Sequence, residues 1–113
     1  MRIYKIMTSG EWAAAREAGY YEGSADDVRD GFIHFSAAGQ VDGTARKYFA
    51  GKLGLVLIAF DADALGPALK WEPSRGGALF PHLYGELDPA LALSVTPLPL
   101  DEDGAPVLPD LGN

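Results

Sequence analysis

Apolar and polar positions along this chain follow two rhythms, one of strands and one of helices. Residues 2–7 (Arg-Ile-Tyr-Lys-Ile-Met) are β-branched and aromatic over a short span, which predicts a first strand. Thr8-Ser9-Gly10-Glu11 then places a hydroxyl with a Glu three residues on, ahead of an Ala-rich run. This is a capping-box pattern, and it predicts a helix over 11–18 that buries Trp12 and Ala15 and stops at Gly19. Ser24-Ala25-Asp26-Asp27 offers an N-cap and an acidic first turn, so a short helical turn runs to about Arg29. Asp30-Gly31 is turn chemistry, and 32–35 reads as a buried strand. Ser36 is placed to cap a helix over 37–50, with an apolar stripe of Ala38, Val41, Ala45, Tyr48 and Phe49. Gly39 and Gly43 weaken that helix by about 1 kcal/mol each relative to Ala.

Residues 55–60 (Leu-Val-Leu-Ile-Ala-Phe) show no alternation, as expected of a central strand covered on both faces. Asp61 caps one further turn to Leu65, 69–72 forms a short strand, and 73–77 (Pro-Ser-Arg-Gly-Gly) forms a loop. Residues 80–87 form another strand with Pro81 at its start, and 91–96 alternate as a half-buried strand. Two main helices come early and only short strands come late. That order predicts a single α+β domain over 1–100 rather than a doubly wound parallel sheet. An acidic, Pro-rich tail follows over 101–113, turning and loosening.

Composition narrows the function classes. The formal net charge is −7. A nucleic-acid partner needs a basic stripe to displace counterions, so none is expected, and an anionic membrane surface is disfavoured as well. A small molecule held in a pocket stays compatible with the acidic balance, because a local field can oppose the global one. No cysteine is present, which removes disulfides, thiolate metal sites and a Cys nucleophile. The opening residues are too short and polar for a signal peptide, no window suits a membrane span, and a cytoplasmic location is expected.

The two histidines occur in matching settings, Gly31-Phe32-Ile33-His34-Phe35-Ser36 and Phe80-Pro81-His82-Leu83-Tyr84-Gly85. An imidazole buried without a partner costs roughly 1–3 kcal/mol, so each has a hydrogen-bond partner or opens onto a site. Strand alternation puts Phe32 with His34, and His82 with Tyr84, opposite purely apolar faces. If both polar faces look into one cleft, His34, His82 and Tyr84 converge there. Ser36 could add a hydroxyl or serve only as a cap. Trp71 and Glu72 end a strand, and Arg75 sits on a Gly-rich loop, a common place to clamp a phosphate or carboxylate. The simpler alternatives are a core histidine, a Glu72–Arg75 surface ion pair worth ~0–1 kcal/mol, and packing aromatics. No H-x-H, H-E-x-x-H, phosphate-loop or dinucleotide glycine pattern is present, so no metal site is expected.

The signatures GFIHFS and FPHLYG, with Thr44-Ala45, the strand over 55–60 and Trp71-Glu72, resemble small bacterial proteins grouped as domain of unknown function nine-hundred-fifty-two. That family is similar in fold to the ADP-ribosyltransferase-like superfamily. The similarity implies a split, mostly antiparallel β core with NAD or ADP-ribose in its cleft. By that resemblance His34 would hold a ribose, Tyr84 or Trp71 would stack on nicotinamide, and Glu72 would be the carboxylate assisting glycosyl or ADP-ribosyl transfer. Arg75 would hold the pyrophosphate, and His34 and Glu72 would be the catalytic pair. Ser36, Trp71, Arg75, His82 and Tyr84 join His34 as ligand-binding candidates, with NAD the possible cofactor. The alternative is a non-catalytic binding or interaction module with structural histidines.

Overall fold

The structure, a computed structural model, describes residues 1–111, and the side chain of Arg75 lies outside the described residues. Strand β1 (Arg2–Thr8) runs directly into helix α1 (Ser9–Ala18). Thr8 accepts the amide of Glu11 and Glu11 accepts the amide of Thr8, so the expected capping box forms. Trp12 and Ala15 are buried, and Gly19 ends the helix. Helix α2 (Ala25–Asp30) repeats the device with Ser24 and Asp27, and Gly31 closes it at φ 87, a conformation suited to glycine.

Next come two very short strands, β2 (Ile33–His34) and β3 (Ser36–Ala37), then a single 3-10 turn and helix α3 (Val41–Tyr48). The helix expected over 37–50 therefore starts four residues late. Ser36 does not cap it. Instead Ser36 and Ala37 pair with Tyr4 and Ile3 of β1, and the amide of Ala37 donates to Gln40 Oε1. Pairing with a buried strand outweighs local helix propensity here.

Strand β4 (Leu55–Asp61) lies inside the four-stranded sheet of order β3-β1-β4-β7, and its burial without alternation fits that central place. A 3-10 stretch over Ala62–Ala68, begun by an Asp61 cap, leads to β5 (Leu69–Pro73) and β6 (Leu79–Leu83). With β2 these make a three-stranded sheet of order β2-β6-β5. Pro81 is not at the strand start but within the central strand β6. Its carbonyl still accepts from Phe35 N at 3.0 Å, so it holds the ladder through its acceptor. Strand β7 (Ser94–Leu98) is shifted three residues from the expected 91–96, and Val95 faces solvent. Every strand pair is antiparallel.

The fold is a compact single-domain α+β structure whose radius of gyration, 13.2 Å, matches the ~13 Å expected of one domain this long. The four-stranded sheet is covered on both faces. One face buries Ile3, Met7, Ile58 and Phe60 against Trp12, Ile33, Phe35 and Leu83. The other buries Tyr4, Ile6, Leu57 and Leu98 against Val41 and Ala45 of α3. Leu108 and Leu111 pack on this second core, and Gly51 N donates to Gly104 O at 2.7 Å. Residues 101–111 therefore dock on the domain, and 112–113 of the expected tail lie outside the described residues. Among the described residues no helix is long and apolar enough to cross a membrane.

At Phe35 the chain leaves the three-stranded sheet and joins the four-stranded one. Because β3 pairs with Ile3 and Tyr4, while β4 follows β1 over all seven residues, that edge of β1 has no strand partner among the described residues from Lys5 onward. A cavity opens along that edge.

Candidate functional site

The cavity of about 270 Å³ lies where this edge, α2, α3 and the polar face of the three-stranded sheet meet. His34, His82, Ser36, Lys5 and Asp27 all line it. His34 and His82 are directly paired across β2 and β6, and their ring centroids are 5.5 Å apart, edge to face. The two distant signatures thus put their imidazoles side by side at one hollow.

Asp27, only 2% exposed, organises the site. As third residue of α2 it accepts the Ser24 amide at 2.9 Å. The same carboxylate takes Lys5 Nζ at 2.8 Å, the His34 amide at 3.2 Å and His34 Nδ1 at 2.6 Å. Burial pushes its pKa up, but the His34 hydrogen bond, the Lys5 ammonium and the Ser24 amide outweigh that and hold the carboxyl well below the usual range. Burial pulls the Lys5 ammonium down against the opposing attraction of Asp27. Gly23 is required beside this cluster: at φ +114, a Cβ there would fall 2.5 Å from the Asp27 Cβ. His34 Nε2 reaches Asp30 Oδ2 at 3.0 Å, so both ring nitrogens face carboxylates. Asp30 is in turn held below the ordinary carboxylate range by its hydrogen bond to Arg29.

A second cluster stands behind His82. Its Nδ1 lies 2.8 Å from Glu72 Oε1, and the Tyr84 hydroxyl donates to the same oxygen at 2.8 Å. The His82 and Tyr84 hydrogen bonds hold Glu72 below its ordinary range. Phe32 stacks on the His82 ring at 4.0 Å and 15° and also touches His34 and Tyr84.

The sequence candidates therefore divide. His34, His82 and Ser36 line the cavity, with the Ser36 and Thr44 hydroxyls 3.1 Å apart. Glu72 and Tyr84 touch it only through His82. Trp71 pairs with Pro81 and so lies on the opposite face of β5 from Glu72, outside the cavity lining. Arg75 is a candidate whose side chain lies outside the described residues. Sequence reasoning missed Asp27, Lys5 and Asp30. The one available signal was parity: Lys5 sits between Ile3 and Met7 on an inward-facing row of β1 and needs a buried counter-ion. Among the described residues no group of three or more His, Asp or Glu is placed to hold a metal ion.

Two antiparallel sheets with a half-polar cavity at their split, braced by a buried aspartate–lysine–histidine cluster, define a small α+β protein with a concave candidate site. The chain belongs to the family described as protein of unknown function (DUF952), which matches residues 6–95. It is similar to protein CC0527 from Caulobacter crescentus. The crystal structure of that protein is 52% identical, with a TM-score of 0.93 over 96% of this chain and 95% of that one. The solution NMR structure of CC0527 is 52% identical, with a TM-score of 0.84 over 93% and 90%. A comparison with curated proteins finds no match.

Proposed function

We propose that the cavity binds the ribosyl part of a nucleotide-type small molecule such as NAD or ADP-ribose. The observation that carries this reading is the pair of in-register imidazoles, His34 and His82, lining one half-polar cavity. At about 270 Å³ the hollow falls just below the roughly 300 Å³ at which sites for drug-sized ligands begin. It takes one nucleoside-sized portion and leaves the rest of a dinucleotide at the mouth. The apolar neighbours Phe35, Val41 and Phe80 supply wall area, and His82 and Ser36 supply directed polar contacts.

The reading is of binding. N-glycosidic cleavage needs a carboxylate beside the ribose to stabilise developing positive charge. Glu72 stands behind His82, with Oε1 shared by His82 and Tyr84, and does not line the cavity. An ADP-ribosyltransferase-like activity would therefore require Glu72 to turn into the hollow. Calorimetric titration with ADP-ribose and NAD, read alongside amide shifts of β2 and β6, tests the proposal. Heat and shifts concentrated on the residues lining the cavity, those of β2 and β6 among them, are expected; no heat and no shift at millimolar ligand overturns it.

A further inference from the structure

We infer that the two histidines of the cavity have different roles: His82 presents Nε2 as acceptor for a ligand hydroxyl, held in place by Glu72 and Tyr84, while His34 clips α2 to β2. This deepens the proposed ribosyl binding and rests on it for the identity of the ligand, but not for the state of the ring.

The geometry separates the two rings. His34 has both nitrogens engaged, Nδ1 by Asp27 and Nε2 by Asp30, so a ligand reaches them only by displacing a carboxylate. The Asp27 contact is buried and reinforced by the His34 amide, which ties the end of β2 to the third residue of α2. His82 is bound on one side only in this way. A carboxylate accepts and cannot donate, so Glu72 fixes the proton of the neutral ring on Nδ1 and leaves the lone pair on Nε2. Glu72 lies outside the cavity and His82 lines it, so the nitrogen turned from Glu72 is the one the hollow can use. Phe32, stacked flat at 4.0 Å, restricts ring rotation, and the Tyr84 hydroxyl steadies the carboxylate. Glu72 and Tyr84 are positioning residues, because they act on the ligand through His82.

The class of ligand follows from the same inventory. Nε2 accepts, Asp26 and Asp30 line the same cavity, and the cations that line it are already paired, Lys5 with Asp27 and Arg29 with Asp26 and Asp30. A hollow rich in acceptors suits a group with several O–H donors, as a sugar has, and disfavours a phosphate at this depth. The ribosyl end enters and the phosphates stay outside.

Ring nitrogen correlation spectra of the full chain, taken above the ordinary histidine pKa of about 6.5, test this directly. His82 is expected with its proton on Nδ1. In Glu72→Ala it moves toward the Nε2–H form, and in Tyr84→Phe it moves less. Adding ADP-ribose shifts His82 Nε2 in the wild type. Both variants lose about two- to tenfold in ADP-ribose affinity, the range of one hydrogen bond, with melting temperatures recorded alongside. A wild-type His82 protonated on Nε2, or an Nε2 resonance that ignores bound ADP-ribose, overturns the inference. If ADP-ribose fails to bind at all while the Nδ1–H form is present and lost in Glu72→Ala, the ring orientation stands and the ribosyl assignment falls.

Discussion

Replacing Asp27 by Asn removes one charge and little volume, and it isolates the role of the buried cluster. Asp27 is 2% exposed and Lys5 8%, so neither finds solvent when the other is neutralised. The substitution leaves the ammonium 2.8 Å from an amide and the His34 ring without its carboxylate. Breaking a buried ion pair from one side costs about 3–5 kcal/mol, because the remaining charge is stranded in low dielectric. Small domains have roughly 5–15 kcal/mol in total, so the variant sits near the edge of folding. In urea, with a slope of about 1.5 kcal/mol/M, the midpoint should fall by about 2 M or more. The paired variant Lys5→Met with Asp27→Leu should recover much of the loss, since a well-packed apolar pair often replaces a buried ion pair without cost. It should still lack the Asp27 half of the α2 capping box, up to about 1 kcal/mol. The sign with pH is also fixed. The folded pKa of Asp27 lies below its unfolded value of about 3.9, so its contribution is present above that pH and is lost as pH falls through and below it. Wild type should therefore lose stability more steeply in acid than Asp27→Asn. A loss under about 1 kcal/mol for Asp27→Asn, or identical acid profiles, would refute the assignment of Asp27 as the hub.

Gly23→Ala forces a methyl against the Asp27 Cβ at a left-handed backbone position and should cost about 1–3 kcal/mol by urea unfolding. Thr8→Ala removes the hydroxyl half of the α1 capping box and should lower stability by about 1 kcal/mol, a few degrees of melting temperature by calorimetry. Trp71→Ala should leave ADP-ribose affinity unchanged in a titration, because the indole is on the far face of β5 from the histidines. A large loss there would mean the ligand reaches the outer strand.

What could be read from the sequence was what local chemistry decides. The α1 cap needs only Thr8 and Glu11, and the buried run of β4 needs only its own lack of alternation. The fold departs from expectation wherever a distant partner decides. Ser36 and Ala37 look like the start of a helix, yet Tyr4 and Ile3 recruit them to a strand. The frame of β7 is set by its register on β4, Leu57 against Thr96 and Ala59 against Ser94, which periodicity over 91–96 cannot see. Pro and acidic residues made 101–111 look loose, while Leu108 and Leu111 anchor it apolarly. The site divides the same way. Parity on two strands was enough to face His34 and His82 in one direction, because β-strand alternation is local. Asp27 looked like an ordinary acidic residue of a helix first turn, a role it does fill for Ser24. Its second role needs Lys5, twenty-two positions earlier on a strand that is charged at one inward place. A carboxylate used both as a cap and as a buried counter-ion has its two signals in different parts of the chain. Only the fold brings them together, and in doing so it sets one face of the cavity where the two imidazoles meet.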